Sequence, residues 1–143
     1  MHNYILLAGL TLAIFFFLMD KNLLPTTLLA RKYMLSKLEK NKIRDKQLQE
    51  ELQELINQND AWSYLAFPDS EVTYKEYMEL LEEKYSIEYA DAEFESLRTK
   101  KMSRRQMHDY IEKIRSQEEA ALALKADVDY QKRNLQTLSL CHV

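Results

Sequence analysis

A single glycine, Gly9, and two prolines, Pro25 and Pro68, in 143 residues leave this chain almost without the residues that build tight hairpin turns. Sheets assembled from hairpins are therefore excluded and helices are the expected answer. At this length the chain has room for one membrane segment and at most one small domain. The lone Cys141 cannot form a disulfide within one chain.

The second constraint lies at the start. Residues 1 to 19 contain no Asp, Glu, Lys or Arg, and Tyr4 to Met19 read YILLAGLTLAIFFFLM. As a helix this stretch reaches roughly 28 Å, close to the ~30 Å hydrocarbon core of a bilayer. A cleaved signal peptide is the chief competitor, with a buried core helix the other. Nothing basic precedes the apolar run except the α-amino group, and Phe15-Phe16-Phe17-Leu18-Met19 offers no small-residue cleavage site. An uncleaved transmembrane anchor over 1–19 is expected, with Tyr4, Ile5, Leu6, Leu7, Leu10, Leu12, Ile14, Phe15, Phe16, Phe17 and Leu18 as its membrane-anchoring residues.

Charge predicts the orientation. From Asp20 to Lys46 eight basic residues oppose three acids, a local balance of +5, and the whole-chain value of −3 leaves −8 for residues 47 to 143. Excess Lys and Arg just past an anchor favours keeping that side in the cytoplasm or an equivalent compartment. Lys21, Arg31, Lys32 and Lys37 are the candidates for contact with acidic lipid headgroups, at about 1 kcal/mol for each basic residue near the surface.

Beyond the anchor the chain divides into a basic juxtamembrane segment with an amphipathic or coiled-coil helix, 20–58, and a helical interaction region, 59–143. Pro25 suits the first turn of a helix and disfavours helical geometry at Leu24, so a break or kink belongs between Asp20 and Thr27. Leu28 to Gln58 reads as helix. Met34, Leu38, Leu48, Leu52 and Leu55 fill the inner positions of a heptad that Asn41 and Asp45 interrupt. Two outcomes stay open: a short coiled coil with another chain, including a second copy, or packing on the chain's own domain.

An apolar plug, Ala61 to Phe67, follows inside a polar connection and either closes a core under a loop or docks a partner. Leu48, Leu52, Leu55, Trp62, Tyr64 and Phe67 are the candidate partner-binding residues. Thr73-x-x-Glu76 and Ser103-x-x-Gln106 have the form of capping boxes. They predict helices from about Tyr74 to Tyr85 and from Arg104 to about Leu138, with a second short helix, Ile87 to Lys100, between them. The expected fold is all-α: an anchor, an amphipathic helix, two short helices and one long one. Apolar stripes are placed at Tyr74, Tyr77, Met78, Leu81 and Tyr85 on the first short helix. The second carries Ile87, Ala90, Phe94 and Leu97. The long helix carries Met107, Tyr110, Ile111, Ile114, Ala121, Leu122, Val128 and Leu135.

Nothing in the sequence points to catalysis. There is no Gly-rich phosphate loop, no Gly-x-Ser-x-Gly turn and no His-Glu-x-x-His pair. His2, His108 and His142 are far apart, and Cys141 with His142 is too few ligands for a structural metal. The carboxylates from Glu79 to Glu95 alternate as a solvated face would. Lys100, Lys101, Arg104 and Arg105 lie in a tail of negative balance and do not make the continuous positive surface that nucleic acid requires. No catalytic residue, cofactor, metal or nucleic-acid partner is expected; membrane lipid and protein partners in a membrane complex are.

In layout, with an N-terminal anchor, a charged helical stalk, a further helical region and Cys141 near the C-terminus, the chain resembles the inner-membrane subunit of phage spanins over its whole length. That resemblance implies a lysis protein with a periplasmic tail. The charge balance implies the opposite orientation, and the cluster Trp62 to Phe67 followed by short helices is more domain-like than a plain stalk. The reading favoured by the residues themselves is a single-pass, non-enzymatic accessory, assembly or scaffold subunit.

Overall fold

Two long helices run side by side in the same direction, and the chain between them travels back along the pair. The computed structural model describes residues 25 to 141, with side chains described from 28 to 135 and at 137. The expected anchor over 1–19, and Lys21, lie outside the described residues. Among the described residues no helix is long and apolar enough to cross a membrane. The elements are α1 (Pro25–Gln58), α2 (Tyr74–Glu88), α3 (Asp91–Thr99) and α4 (Arg104–Cys141). All-helical architecture is thus as expected, and α1 begins at Pro25, where a fixed φ and a missing N–H cost nothing.

Side-chain contacts fix the direction of packing. Arg31 meets the end of α3, Asn41 bonds to the Ile114 carbonyl of α4, and Glu51 pairs with Lys132. Positions on α1 and α4 therefore rise together, so these helices are parallel. Gln49 bonds to the Leu81 carbonyl, whereas Lys42, earlier in α1, bonds to that of Tyr89, so α2 and α3 descend. The result is an up-down-up body about 50 Å long, from the rise of α1.

The parallel contact is a heptad seam made within one chain. On α4, Ile114, Gln117, Ala121, Leu124, Val128, Gln131 and Leu135 are buried, in strictly alternating steps of three and four. On α1 the buried series is Met34, Leu38, Asn41, Asp45, Leu48, Leu52 and Ile56, with Gln49 also buried and bonded to the Leu81 carbonyl. Leu55, expected at the inner position, is half-buried and Ile56 takes its place. A straight helix drifts about 20° per heptad, enough over three repeats to hand the seam to the neighbouring position. Asn41 and Asp45, which interrupt the apolar pattern, are part of the buried face.

On α4, Ile111 and Leu122 are exposed, and the seam instead takes Leu124 with two glutamines that the apolar pattern does not include. Ile87 is likewise exposed and belongs to the last turn of α2 rather than to the start of the next helix. The apolar material forms two clusters. One gathers Leu48, Leu52 and Ile56 with Ala61, Ala66, Tyr74, Leu124, Val128 and Leu135; the other gathers Met34 and Leu38 with Tyr89, Leu97, Met102 and Ile114. Both combine α1 with residues after 58, so the segments divided at 58/59 in the sequence supply two sides of a common core. Full burial of each Leu, Ile or Met contributes about 1.5–3 kcal/mol.

Both capping boxes form. Thr73 Oγ1 accepts from the Glu76 amide and Glu76 accepts from the Thr73 amide, while Ser103 and Gln106 make the same reciprocal pair. The end of α1 shows how a chain so poor in glycine stops a helix. The Ala61 amide donates to the Ile56 carbonyl at 3.0 Å and that of Asp60 to Asn57 at 3.3 Å, a Schellman closure with Asp60 at φ 48° in the left-handed position. A short aspartate tolerates that conformation better than a branched residue does. The connection to α2 is then stitched by the Ala66 amide to the Val72 carbonyl, Tyr74 to Tyr64 and Lys75 to Trp62, which ties it back on itself and onto the start of α2.

Two stability outcomes follow from these features. Asp60→Gly removes the left-handed strain and should raise stability by about 0.5–1 kcal/mol, whereas Asp60→Val should lower it by about 1–2 kcal/mol; urea midpoints of the two variants should fall on opposite sides of the parent. Gln131 is fully buried, accepts from the Tyr74 hydroxyl and donates to the Ala66 carbonyl. Gln131→Leu leaves both partners buried without a bond and should cost about 2–4 kcal/mol by the same measurement.

Candidate interaction surfaces

The beginning of α1, the end of α3 and the start of α4 meet at one end of the body, called here the base. The end of α3 leaves carbonyls with no helical partner, and the Arg31 guanidinium answers them. It donates to the Leu97 and Arg98 carbonyls, each at 3.3 Å, and to that of Lys100. A cation at a helix C-terminus also meets the negative end of the helix dipole. Arg31, expected to face headgroups, is thus half-buried and bonded within the protein. Lys37 pairs with Glu118 on α4 at 2.7 Å, and that hydrogen bond and charge hold its ammonium above the ordinary lysine range. Lys32 is exposed. The base also exposes Lys100, Lys101, Arg104 and Arg105.

The opposite end carries the apolar plug. Trp62 is half-buried, packs on the core and donates Nε1–H to Asn57 Oδ1 at 2.9 Å; Phe67 meets the Tyr77 ring edge-on, with centroids 5.2 Å apart. Tyr64 and Leu65 are exposed, at 45% and 54%. Of the candidate partner-binding residues, Leu48 and Leu52 are buried in the seam and Leu55, Trp62 and Phe67 are partly covered by the chain's own core. Tyr64 alone among them is open. Leu65, which the sequence reading did not single out, stands beside it, its backbone bridged to that of Thr73.

Along the body, α1 and α3 leave an open groove of about 710 Å³ whose walls include Ile43, Lys42, Lys46, Tyr85, Phe94 and Arg98. The Lys42 ammonium lies 5.0 Å from the centre of the Phe94 ring and Lys46 lies 5.8 Å from that of Tyr85. Lys42 also donates to the Tyr89 carbonyl at 3.3 Å, so its charge is committed to the protein. Among the described residues no three His, Cys, Asp or Glu side chains converge on a point where a metal could sit. His108 is exposed.

The buried Tyr74 and Tyr89 and the half-buried Tyr77 are structural donors. Tyr77 donates to Asp127 at 2.9 Å, and burial with that carboxylate pushes its hydroxyl well above the ordinary tyrosine range. Burial takes Tyr74 up to about 12. Tyr89 donates to Asp45 Oδ2 at 2.9 Å and is likewise raised, first by burial and then by the aspartate. None of these hydroxyls is set up to lose a proton near neutrality, so they hold helices together rather than act as bases.

Among the described residues Asp45 is the one buried carboxylate with an unsatisfied oxygen: Oδ1 has no partner, and desolvation raises its pKa against the lowering effects of Tyr89, Arg44 and Lys84. A carboxylate whose folded pKa exceeds the unfolded one weakens the fold at neutral pH, and that loss is recovered as pH falls through the folded value toward the unfolded one. Asp45→Asn should therefore remove an increment of stability that the parent gains on mild acidification. Urea unfolding of both proteins across the acidic carboxylate range checks this, the difference between the two curves isolating Asp45 from the other carboxylates.

No protein-family model matches this chain, and neither a curated protein nor a solved structure shows significant similarity to it, so its function has to come from its own residues and their arrangement.

Proposed function

We propose that this protein is a single-pass, membrane-anchored and non-enzymatic subunit whose helical body acts as an accessory, assembly or scaffold element of a membrane protein complex. The observation that carries the reading is the uncharged stretch from Tyr4 to Met19 joined directly to a well-packed helical body. The stretch fixes location, and the body supplies a rod with distinct ends rather than a reaction centre.

The packing bears on how partners would be met. The heptad of α1 is matched by α4 of the same chain, so α1 does not have to recruit a second chain to cover its leucines. Contacts with a complex would fall instead on the exposed apolar residues, foremost Tyr64 and Leu65 at the far end and Leu80 and Ile87 on the outer face of α2. The tail is proposed to lie on the cytoplasmic or equivalent side, on the strength of the basic excess between Asp20 and Lys46.

A photo-crosslinking side chain placed at Leu65 of the full-length chain in its native membrane tests the reading. The expected result is a defined adduct with another membrane-complex protein, in material that resists carbonate extraction. Release by carbonate, or adducts absent from Leu65, Leu80 and Ile87 alike, would overturn it. A C-terminal alkaline-phosphatase fusion should be inactive; activity would place the tail outside and favour a lysis protein of the spanin type.

A further inference from the structure

The fold brings two basic segments, separated by nearly seventy residues of sequence, to the end of the body from which the N-terminal stretch departs. We propose that this base, with Lys32, Lys100, Arg104 and Arg105 as its charged contacts, seats on anionic phospholipid headgroups and stands the helical body along the membrane normal. The proposal rests on the anchored reading above and adds an orientation and a lipid class to it.

Covalent geometry sets the first limit. Only residues 20 to 24 separate Met19 from Pro25, and even a fully extended link of that length spans no more than about 21 Å. Arg31 lies within two helical turns of Pro25, and its bonds to the Leu97, Arg98 and Lys100 carbonyls place the α3–α4 turn against that part of α1. The turn therefore cannot be far from the point where the apolar stretch ends. Had α1 and α4 been antiparallel, it would lie at the opposite end.

Charge gives the second argument. Residues 98 to 105 hold five basic side chains and no acid. Glu95, close by, is engaged by Arg98 at 3.2 Å, and Asp109 stands one turn further into α4. The far end has the opposite character: residues 59 to 76 carry four acids against Lys75, and Lys132 on α4 is paired with Glu51. An anionic surface attracts one end of such a body and repels the other. Each basic residue brought to that surface multiplies its affinity roughly fivefold.

Apolar material lies beside the charges. Leu28, Leu29 and Tyr33 are 51%, 67% and 57% exposed on the first turns of α1, with the Lys37 ammonium 5.8 Å from the Tyr33 ring centre. Apolar and aromatic side chains among basic ones suit the headgroup layer, where rings and methylenes enter the acyl boundary and cations stay with phosphate. So oriented, Tyr64 and Leu65 are held about 50 Å from the bilayer, the length of α1.

The test uses the full chain, with Cys141→Ser, carrying a fluorophore at Thr99→Cys beside the base or at Asp69→Cys at the far end. Each is reconstituted into phosphatidylcholine vesicles with or without phosphatidylglycerol, with a headgroup-attached quencher. The Thr99 probe should be quenched in phosphatidylglycerol vesicles and lose most of that quenching in high salt. The same loss is expected in the Lys100→Glu, Arg104→Glu, Arg105→Glu variant, whose helicity is checked by circular dichroism, and the Asp69 probe should stay unquenched throughout. A Thr99 probe no more quenched than the Asp69 probe, or quenched equally with and without phosphatidylglycerol, would overturn the proposal. The salt response of the chain without charge reversal decides it even if that variant misfolds. Failure of the protein to float with the vesicles would refute the anchored reading itself, whereas flotation with an unquenched Thr99 probe refutes only the seating of the base.

Discussion

The parallel contact between α1 and α4 is what the rest of the structure depends on. Parallel neighbours joined through one chain need a return path as long as the contact itself, and α2 with α3 is that path. That path is broken at Tyr89 and Ala90. At the junction the Tyr89 ring is buried beneath α1, its hydroxyl on Asp45 and its amide on the Tyr85 carbonyl, so the chain re-aims there without glycine or proline. The junction belongs to the second cluster of the core, which takes Tyr85 and Tyr89 from one side of it and Phe94 and Leu97 from the other.

Polar side chains give the seam its register. Asn41, Asp45, Gln49, Gln117 and Gln131 are buried, and their bonds run to different parts of the molecule: the Ile114 carbonyl, Tyr89, the Leu81 carbonyl, the Glu88 carbonyl, and Tyr74 with Ala66. A seam of leucines alone tolerates a shift by one heptad. A shift here would strand several amides in a dry interface, each at a cost of about 1–3 kcal/mol. Most of these bonds cross to the returning segment, so they align the third layer as well as the pair. Asp45 Oδ1 and Gln117 Oε1, buried without partners, are where this arrangement is least complete.

The arrangement also accounts for the asymmetry of the surface. Because both long helices point the same way, chain ends and turns of like composition collect together. The basic turn after α3 joins the start of α1, and the acidic, aromatic connection after α1 joins the far portion of α4. A body with chemically distinct ends is suited to orientation between a surface and a partner, which agrees with the function proposed for it.

Much of this was legible along the chain. Scarcity of glycine and proline excluded sheets, because tight turns need residues that tolerate φ > 0 or a fixed φ. Thr73-x-x-Glu76 and Ser103-x-x-Gln106 marked two helix starts, because a capping box is satisfied within four residues and needs no tertiary support. Other features depended on what lay opposite. Asn41, Asp45, Gln117 and Gln131 read as interruptions until their partners, dozens of residues away, were placed. Ile111 and Leu122 matched a local apolar stripe, but a helix face is buried only where a neighbour covers it. Sequence alone determined that the chain is helical, where its capped helices begin, and which stretch carries no charge. Tertiary structure decided that α1 and α4 are parallel, that α1 spends its heptad on its own chain, and that Lys100 to Arg105 lie beside Arg31, because direction and proximity between distant segments are set by packing and not by local pattern.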